Sequence, residues 1–140
     1  MGKLMIKEFV RKIPEFCMTH WLIRIPLIVV FLQQGFSKWP IDAETAAAFE
    51  LTLLVWTFVV LGEIGAGFGL ILGGLMDYVK RLKEFGDLIT RFSGIVITGI
   101  MTGVIWVGQP DSFMDVILYD NFHVLLWVGG MYFALRGNRT

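Results

Sequence analysis

The chain holds one cysteine, Cys17, which excludes an internal disulfide and any cysteine-based metal cluster. Histidine is nearly as scarce, with only His20 and His123. His20 lies near the inner end of the first apolar block and His123 near the outer start of the fourth, too far apart in depth to clamp one haem. A metal centre would lack ligands, and none is expected. Charge is also sparse: 17% of the residues are Asp, Glu, Lys or Arg, and the two signs balance at 12 each. The basic residues divide among three separate segments, which argues against a nucleic-acid partner. Internal repeats and low-complexity tracts are lacking. No small-residue cleavage site follows the first apolar block, which ends in "QQGFSKWP" and reads as a retained span.

What remains is apolar. Hydrophobic residues make up 56% of the 140, and the mean hydropathy is +0.69, unlike a soluble domain of this length. They fall into four blocks, at about 17–36, 51–75, 92–108 and 116–135. A hydrocarbon core about 30 Å thick needs roughly 20 helical residues, so each block is a candidate span. The expected fold is all-α: an integral membrane four-helix bundle occupying 17–136.

Lys3, Lys7, Arg11, Lys12, Lys80, Arg81, Lys83, Arg91, Arg136 and Arg139 fall in the tails and the second loop. Asp42, Glu44, Glu50, Asp111 and Asp115 fall in the other two loops, with Lys38 as the sole base there. The positive-inside rule then places both termini in the cytoplasm. Residues 1–16 carry Ile6, Phe9, Val10, Ile13 and Phe16 at near-helical spacing, with Lys3, Lys7 and Arg11 mostly elsewhere. This predicts an interfacial amphipathic segment, with Pro14 at its end or at a bend; a plain basic tail that sets topology is the alternative. Residues 137–140 form a cytoplasmic tail. The loop "SKWPIDAETAAAF" predicts a short helix starting near Asp42 or Glu44. Trp21, Trp39, Trp106 and Trp127 read as an interfacial belt.

The second block, "VVLGEIGAGFGLILGG" within 59–74, combines many glycines with one carboxylate. Gly65, Gly69 and Gly73 share one helix face, and Gly99 and Gly103 do the same in the third block. Small residues let helices approach closely in lipid, so these five are expected to pack helices together. Glu63, Gly67, Leu70 and Gly74 form a second stripe. A charge at the bilayer centre costs about 2.5–3.5 kcal/mol on insertion scales. Counted from the outer ends of their blocks, Arg24 and Glu63 each lie roughly 18 Å deep, so an intramembrane Arg24–Glu63 ion pair is expected. Three readings stay open: a pair that only fixes register, an Arg24 that snorkels and leaves Glu63 protonated, and a functional polar site.

Other polar residues gather near the outer half: Gln33, Gln34 and Lys38 at the end of the first block, and Asp120, Asn121 and His123 in the fourth. Their catalytic roles are unknown from sequence, with Glu63, His123 and Lys38 as the candidates. No cofactor is fixed by these residues. A quinone headgroup or a bound lipid is the ligand class that suits a few hydrogen-bond donors beside an apolar path.

The segment "RIPLIVVFLQQGFSKW" resembles the start of the DoxX-like family of four-helix membrane proteins, through Arg24, Gly35 and Lys38. "GEIGAGFGLILGG" resembles that family's second span through Glu63, Gly65, Gly69 and Gly73. "YDNFHVLLWVGGMYFALRGNRT" matches its fourth span more loosely. The resemblance implies a bacterial or archaeal cytoplasmic membrane protein. Members have been linked to quinone-coupled sulfur oxidation, oxidative-stress complexes and redox-enzyme maturation. Two departures stand out: the chain lacks the cysteine pairs of thiol chemistry, and Asn121 and His123 stand where a carboxylate is expected.

Two functions follow as expectations. The favoured one is an accessory, mainly structural subunit of a larger membrane redox or energy-transducing complex, in lipid or quinone contact and with other membrane subunits as partners. The alternative is a quinone-linked oxidoreductase subunit with its own polar site. A small transporter is weaker, because four-helix multidrug transporters carry their membrane glutamate in the first span. The expected location is the bacterial inner membrane, multi-pass.

Overall fold

The computed structural model describes residues 1–15 and 17–139. Phe16, counted above in the amphipathic segment, lies outside the described residues. Among those described, the chain is helical throughout, with seven helices and no strand: α1 (Gly2–Arg11), α2 (His20–Ser37), α3 (Ala43–Ala48), α4 (Leu53–Met76), α5 (Lys83–Val107), α6 (Phe113–Tyr119) and α7 (Asn121–Arg136). α4 and α5, of 24 and 25 residues, are long and apolar enough to cross a membrane. Their many outward-facing apolar side chains, such as Phe58, Leu61, Phe68 and Phe92, fit lipid surroundings.

The four long helices pack in chain order, α2 on α4, α4 on α5 and α5 on α7, with a lighter α2–α7 contact. Neighbours run antiparallel: Gly35 lies against Ile64 and Gly74 against Trp21, while Gly69 meets Ser93 and Gly86 meets Met76. Loops 38–52 and 108–120 therefore share one end, which is acidic. Loop 77–82, the start of α2 and the C-terminal tail share the other, which is basic. Leu27, Phe31, Leu70, Ile97, Leu126 and Phe133 fill the centre.

Local chemistry sets several helix starts. Asp42 accepts from the Thr45 amide at 2.7 Å and starts α3, as its position in the loop predicts. That amide, together with the Thr45 side chain, holds the Asp42 carboxyl below the usual carboxylate range. Thr52 and Ser112 cap α4 and α6 in the same way.

Two boundaries differ from the sequence expectation. α5 begins at Lys83, about nine residues before the apolar block, because Asp87 and Arg91 pair one turn apart at 2.8 Å and Gly86 packs on α4. The block at 116–135 is not continuous: it breaks at Asp120 into α6 and α7. Asp120 and Asn121 are weak helix formers, and the Asp120 carboxylate instead meets His123 Nδ1 at 2.6 Å.

The glycines divide by what surrounds them. A Cβ on Gly73 would meet Thr90 and lie 2.8 Å from the Gly86 carbonyl oxygen, and one on Gly69 would meet Ser93. Gly65, Gly99 and Gly103 have nothing within 4 Å, so their reading as packing glycines is corrected: helical spacing shows a shared face but not what that face meets. The tightest helix crossing is elsewhere, at Gly94, where a Cβ would lie 2.5 Å from the Gly130 carbonyl oxygen and also strike the Ala134 backbone. Gly94→Ala is expected to cost about 2 kcal/mol, because backbone cannot move aside cheaply. Gly65→Ala is expected to be neutral or to stabilise by up to about 1 kcal/mol. Denaturant unfolding of the two variants in detergent checks both; equal costs would refute this division.

Candidate functional site: a cavity at the acidic end

A cavity of about 660 Å³ lies between the acidic-end halves of α2, α4, α5 and α7. Its size falls within the range of small-molecule sites. Phe31, Val59, Met101, Val104 and Leu126 make much of an apolar wall, and Phe49 and Leu51 reach it from the loop beside α3. Gly99 and Gly103 also line it; the absence of side chains there leaves the space open.

The polar groups on this wall are few: Gln34 and Lys38 from the end of α2, Glu63 from α4 and His123 from α7. Lys38 Nζ donates to both Glu63 oxygens, at 2.7 and 2.6 Å. The Glu63 side chain is 3% exposed and that of Lys38 19%, so the pair is largely withdrawn from solvent. His123 is held by Asp120. Trp56 also lines the cavity; it is buried, stacks on Phe49 at 5.0 Å, and its Nε1–H has no hydrogen-bond partner. Gln33 and Asn121 are exposed and not part of this wall. Asp120 reaches the site only through His123 and itself faces a second, shallower hollow.

The expected Arg24–Glu63 pair is not formed. Depth counting placed the outer ends of α2 and α4 level with each other. Instead Gly35 lies beside Glu63 and Ile64, and Arg24 lies beside Gly74. The register differs from the expected one by about 11 residues, roughly 16 Å along the axis. α4 extends past the end of α2, and α3 covers the extension by packing Ala46 on Trp56 and Val60. Lys38, just beyond the end of α2, is thereby brought level with Glu63.

Arg24 is fully buried in a separate network toward the basic end. Its Nη1 donates to the Leu70 carbonyl at 2.7 Å and to Thr90 Oγ1 at 3.1 Å, and its Nη2 donates to Asn138 Oδ1 at 2.7 Å. The guanidinium lies 4.6 Å from the Phe133 ring centre and 5.3 Å from that of Trp21. Asn138 Nδ2 donates to the Gly73 carbonyl at 2.8 Å, and the Asn138 amide donates to Asp87 Oδ1 at 2.8 Å. Gly137 makes this turn at φ 60°, where a Cβ would collide with Asp87. One cluster thus ties α2, α4, α5 and the tail after α7.

Trp56, Thr90 and Asn138 escaped the sequence reading. Trp56 had a legible signal: it stands two turns before Glu63 on the same helical stripe. Asn138 had none, because only the turn at Gly137 carries it back into the protein.

Long apolar helices around an apolar cavity with a buried ion pair define a small α-helical membrane protein, one that sits in the lipid bilayer. Residues 20–80 match the DoxX family model, so that stretch of the chain is similar to the DoxX family. That stretch covers α2, α3 and α4 and includes Arg24, Lys38 and Glu63. No curated protein and no solved structure gives a significant match.

Proposed function

We propose that the chain is a multi-pass subunit of a redox complex in the bacterial cytoplasmic membrane, and that its cavity binds a quinone headgroup. In this reading α2, α4, α5 and α7 each cross the bilayer as a four-helix bundle. Both termini lie in the cytoplasm, since the basic end carries most of the Lys and Arg. The acidic end and the cavity then face outward.

The observation that carries the reading is the cavity itself. An apolar space of about 660 Å³ meets the buried Lys38–Glu63 pair, with Gln34 and His123 on the same wall and an unpartnered indole N–H at Trp56. A quinone presents a flat apolar ring and two carbonyl oxygens. Lys38 and Gln34 would bind those oxygens, and the apolar wall would exclude water around the ring. Glu63 and His123 would hold protons near the ligand. Cys17 alone provides no dithiol couple within the chain, so we assign electron delivery to a partner subunit.

The test uses the full chain in nanodiscs, titrated with a short-chain benzoquinone and followed by tryptophan fluorescence. Gly99→Phe and Gly103→Leu add side chains where the protein leaves room. Both are expected to keep the unfolding midpoint and weaken binding by about tenfold or more. Saturable binding unchanged by either substitution would place the ligand elsewhere. No saturable binding to the native chain would leave the purely structural subunit as the better account.

A further inference from the structure

α1 stands apart from the cavity and from the helix pack. It spans Gly2–Arg11 and none of its residues is buried. Its apolar side chains are bare: Phe9 is 70% exposed and Ile6 65%. At about 100° per residue, Met5, Ile6, Phe9 and Val10 share one arc of the helix. Lys3, Lys7, Glu8 and Arg11 fill the opposite arc, with Lys12 capping the end; Leu4 alone breaks the division. The side chains of residues 2–12 carry four positive charges and one negative.

Neither half of this helix is satisfied by the rest of the chain. No described hydrogen bond or ion pair joins a side chain of α1 to another element. An apolar arc with no protein cover is unfavourable in water. A basic arc with no acidic partner points toward a negatively charged surface. The helix is tethered to α2, whose start lies at the basic end, beside the bilayer that holds α4 and α5.

We infer that α1 lies in the headgroup region of the leaflet at the basic end, with Met5, Ile6, Phe9 and Val10 in the acyl boundary and Lys3, Lys7 and Arg11 on anionic phospholipid headgroups. The surface it recognises is an anionic bilayer. Apolar burial alone would hold the helix to any bilayer, whereas the basic arc makes the attachment depend on lipid charge. Each basic residue near such a surface strengthens attachment by roughly fivefold at moderate ionic strength, and salt weakens that gain.

The full chain, in a Cys17→Ser background, is given one cysteine at Phe9→Cys or at Lys7→Cys and spin-labelled. Each protein is reconstituted into nanodiscs of phosphatidylcholine, alone or with about 30 mol% phosphatidylglycerol. Accessibility to oxygen and to a water-soluble nickel complex reports depth. The inference expects the label at residue 9 to be immersed with phosphatidylglycerol and the label at residue 7 to stay in water. Immersion at residue 9 should fall severalfold in pure phosphatidylcholine, in high salt, or with Lys3→Gln, Lys7→Gln and Arg11→Gln combined. Equal immersion in both lipids would overturn the charge requirement. A label at residue 9 shielded from both oxygen and nickel would assign the arc to a protein partner. A label in water throughout would leave α1 detached. No residue of α1 is buried, so these variants are expected to fold, and an unchanged unfolding midpoint verifies this.

Discussion

Lys38→Met is expected to destabilise the protein by about 3–5 kcal/mol, more than any other single change near the cavity. Glu63 has no other charged partner within salt-bridge distance among the described residues, and both of its oxygens are bound by Lys38. Removing the ammonium group leaves a carboxylate in apolar surroundings. Removing the carboxylate as well relieves that penalty, so Lys38→Met with Glu63→Leu should recover most of the loss. Replacing a whole buried pair by apolar groups is often close to neutral. The measurement is a double-mutant cycle of denaturant unfolding in detergent. Additive costs would show that the two side chains do not act on each other. Quinone binding by the double variant then separates roles, since a stable protein that no longer binds ligand assigns the pair to the site.

The second large effect is expected far from the cavity. Asn138→Ala should cost about 3 kcal/mol, although Asn138 lies in the short polar tail after α7. Its Oδ1 accepts from Arg24 Nη2 and, at 2.8 Å, from Thr90 Oγ1, while its Nδ2 donates to the Gly73 carbonyl. The substitution leaves part of a buried guanidinium and a backbone carbonyl without partners, and the unmade bonds set the cost. Arg136 and Arg139 are more exposed and offer a control: either changed to Gln should shift stability by less than about 0.5 kcal/mol. Thermal unfolding of the three variants settles the comparison. A tail that merely dangles predicts three equal, small shifts.

The helical class, the short loop helix at Asp42 and the near limits of α2 and α4 were legible because they rest on local signals: apolar runs, a capping aspartate and polar loops. The resemblance carried by Arg24, Gly35, Lys38 and Glu63 was legible for the same reason, and the family match covers those residues. Long-range register was not. Pairing Glu63 correctly required knowing that α4 runs past the end of α2 under the cover of α3, which no spacing within one helix reveals. The glycines teach a related point. Gly69 and Gly99 look alike in sequence, yet one meets Ser93 and the other faces open space. Lys38, Gln34 and His123 share the cavity wall, whereas Gln33, one residue from Gln34, points away, as helical geometry requires of adjacent positions.

The cavity and the Arg24 network also divide the protein lengthwise. On the acidic side lies room for a guest; on the basic side Leu27, Leu70, Ile97 and Phe133 are packed shut, and a fixed positive charge stands behind them. The cavity is thus closed toward the basic end. Glu63 sits on the cavity side of this packed layer, and Arg24 on the other. A quinone bound as proposed would therefore be exchanged with one face of the membrane and not with both.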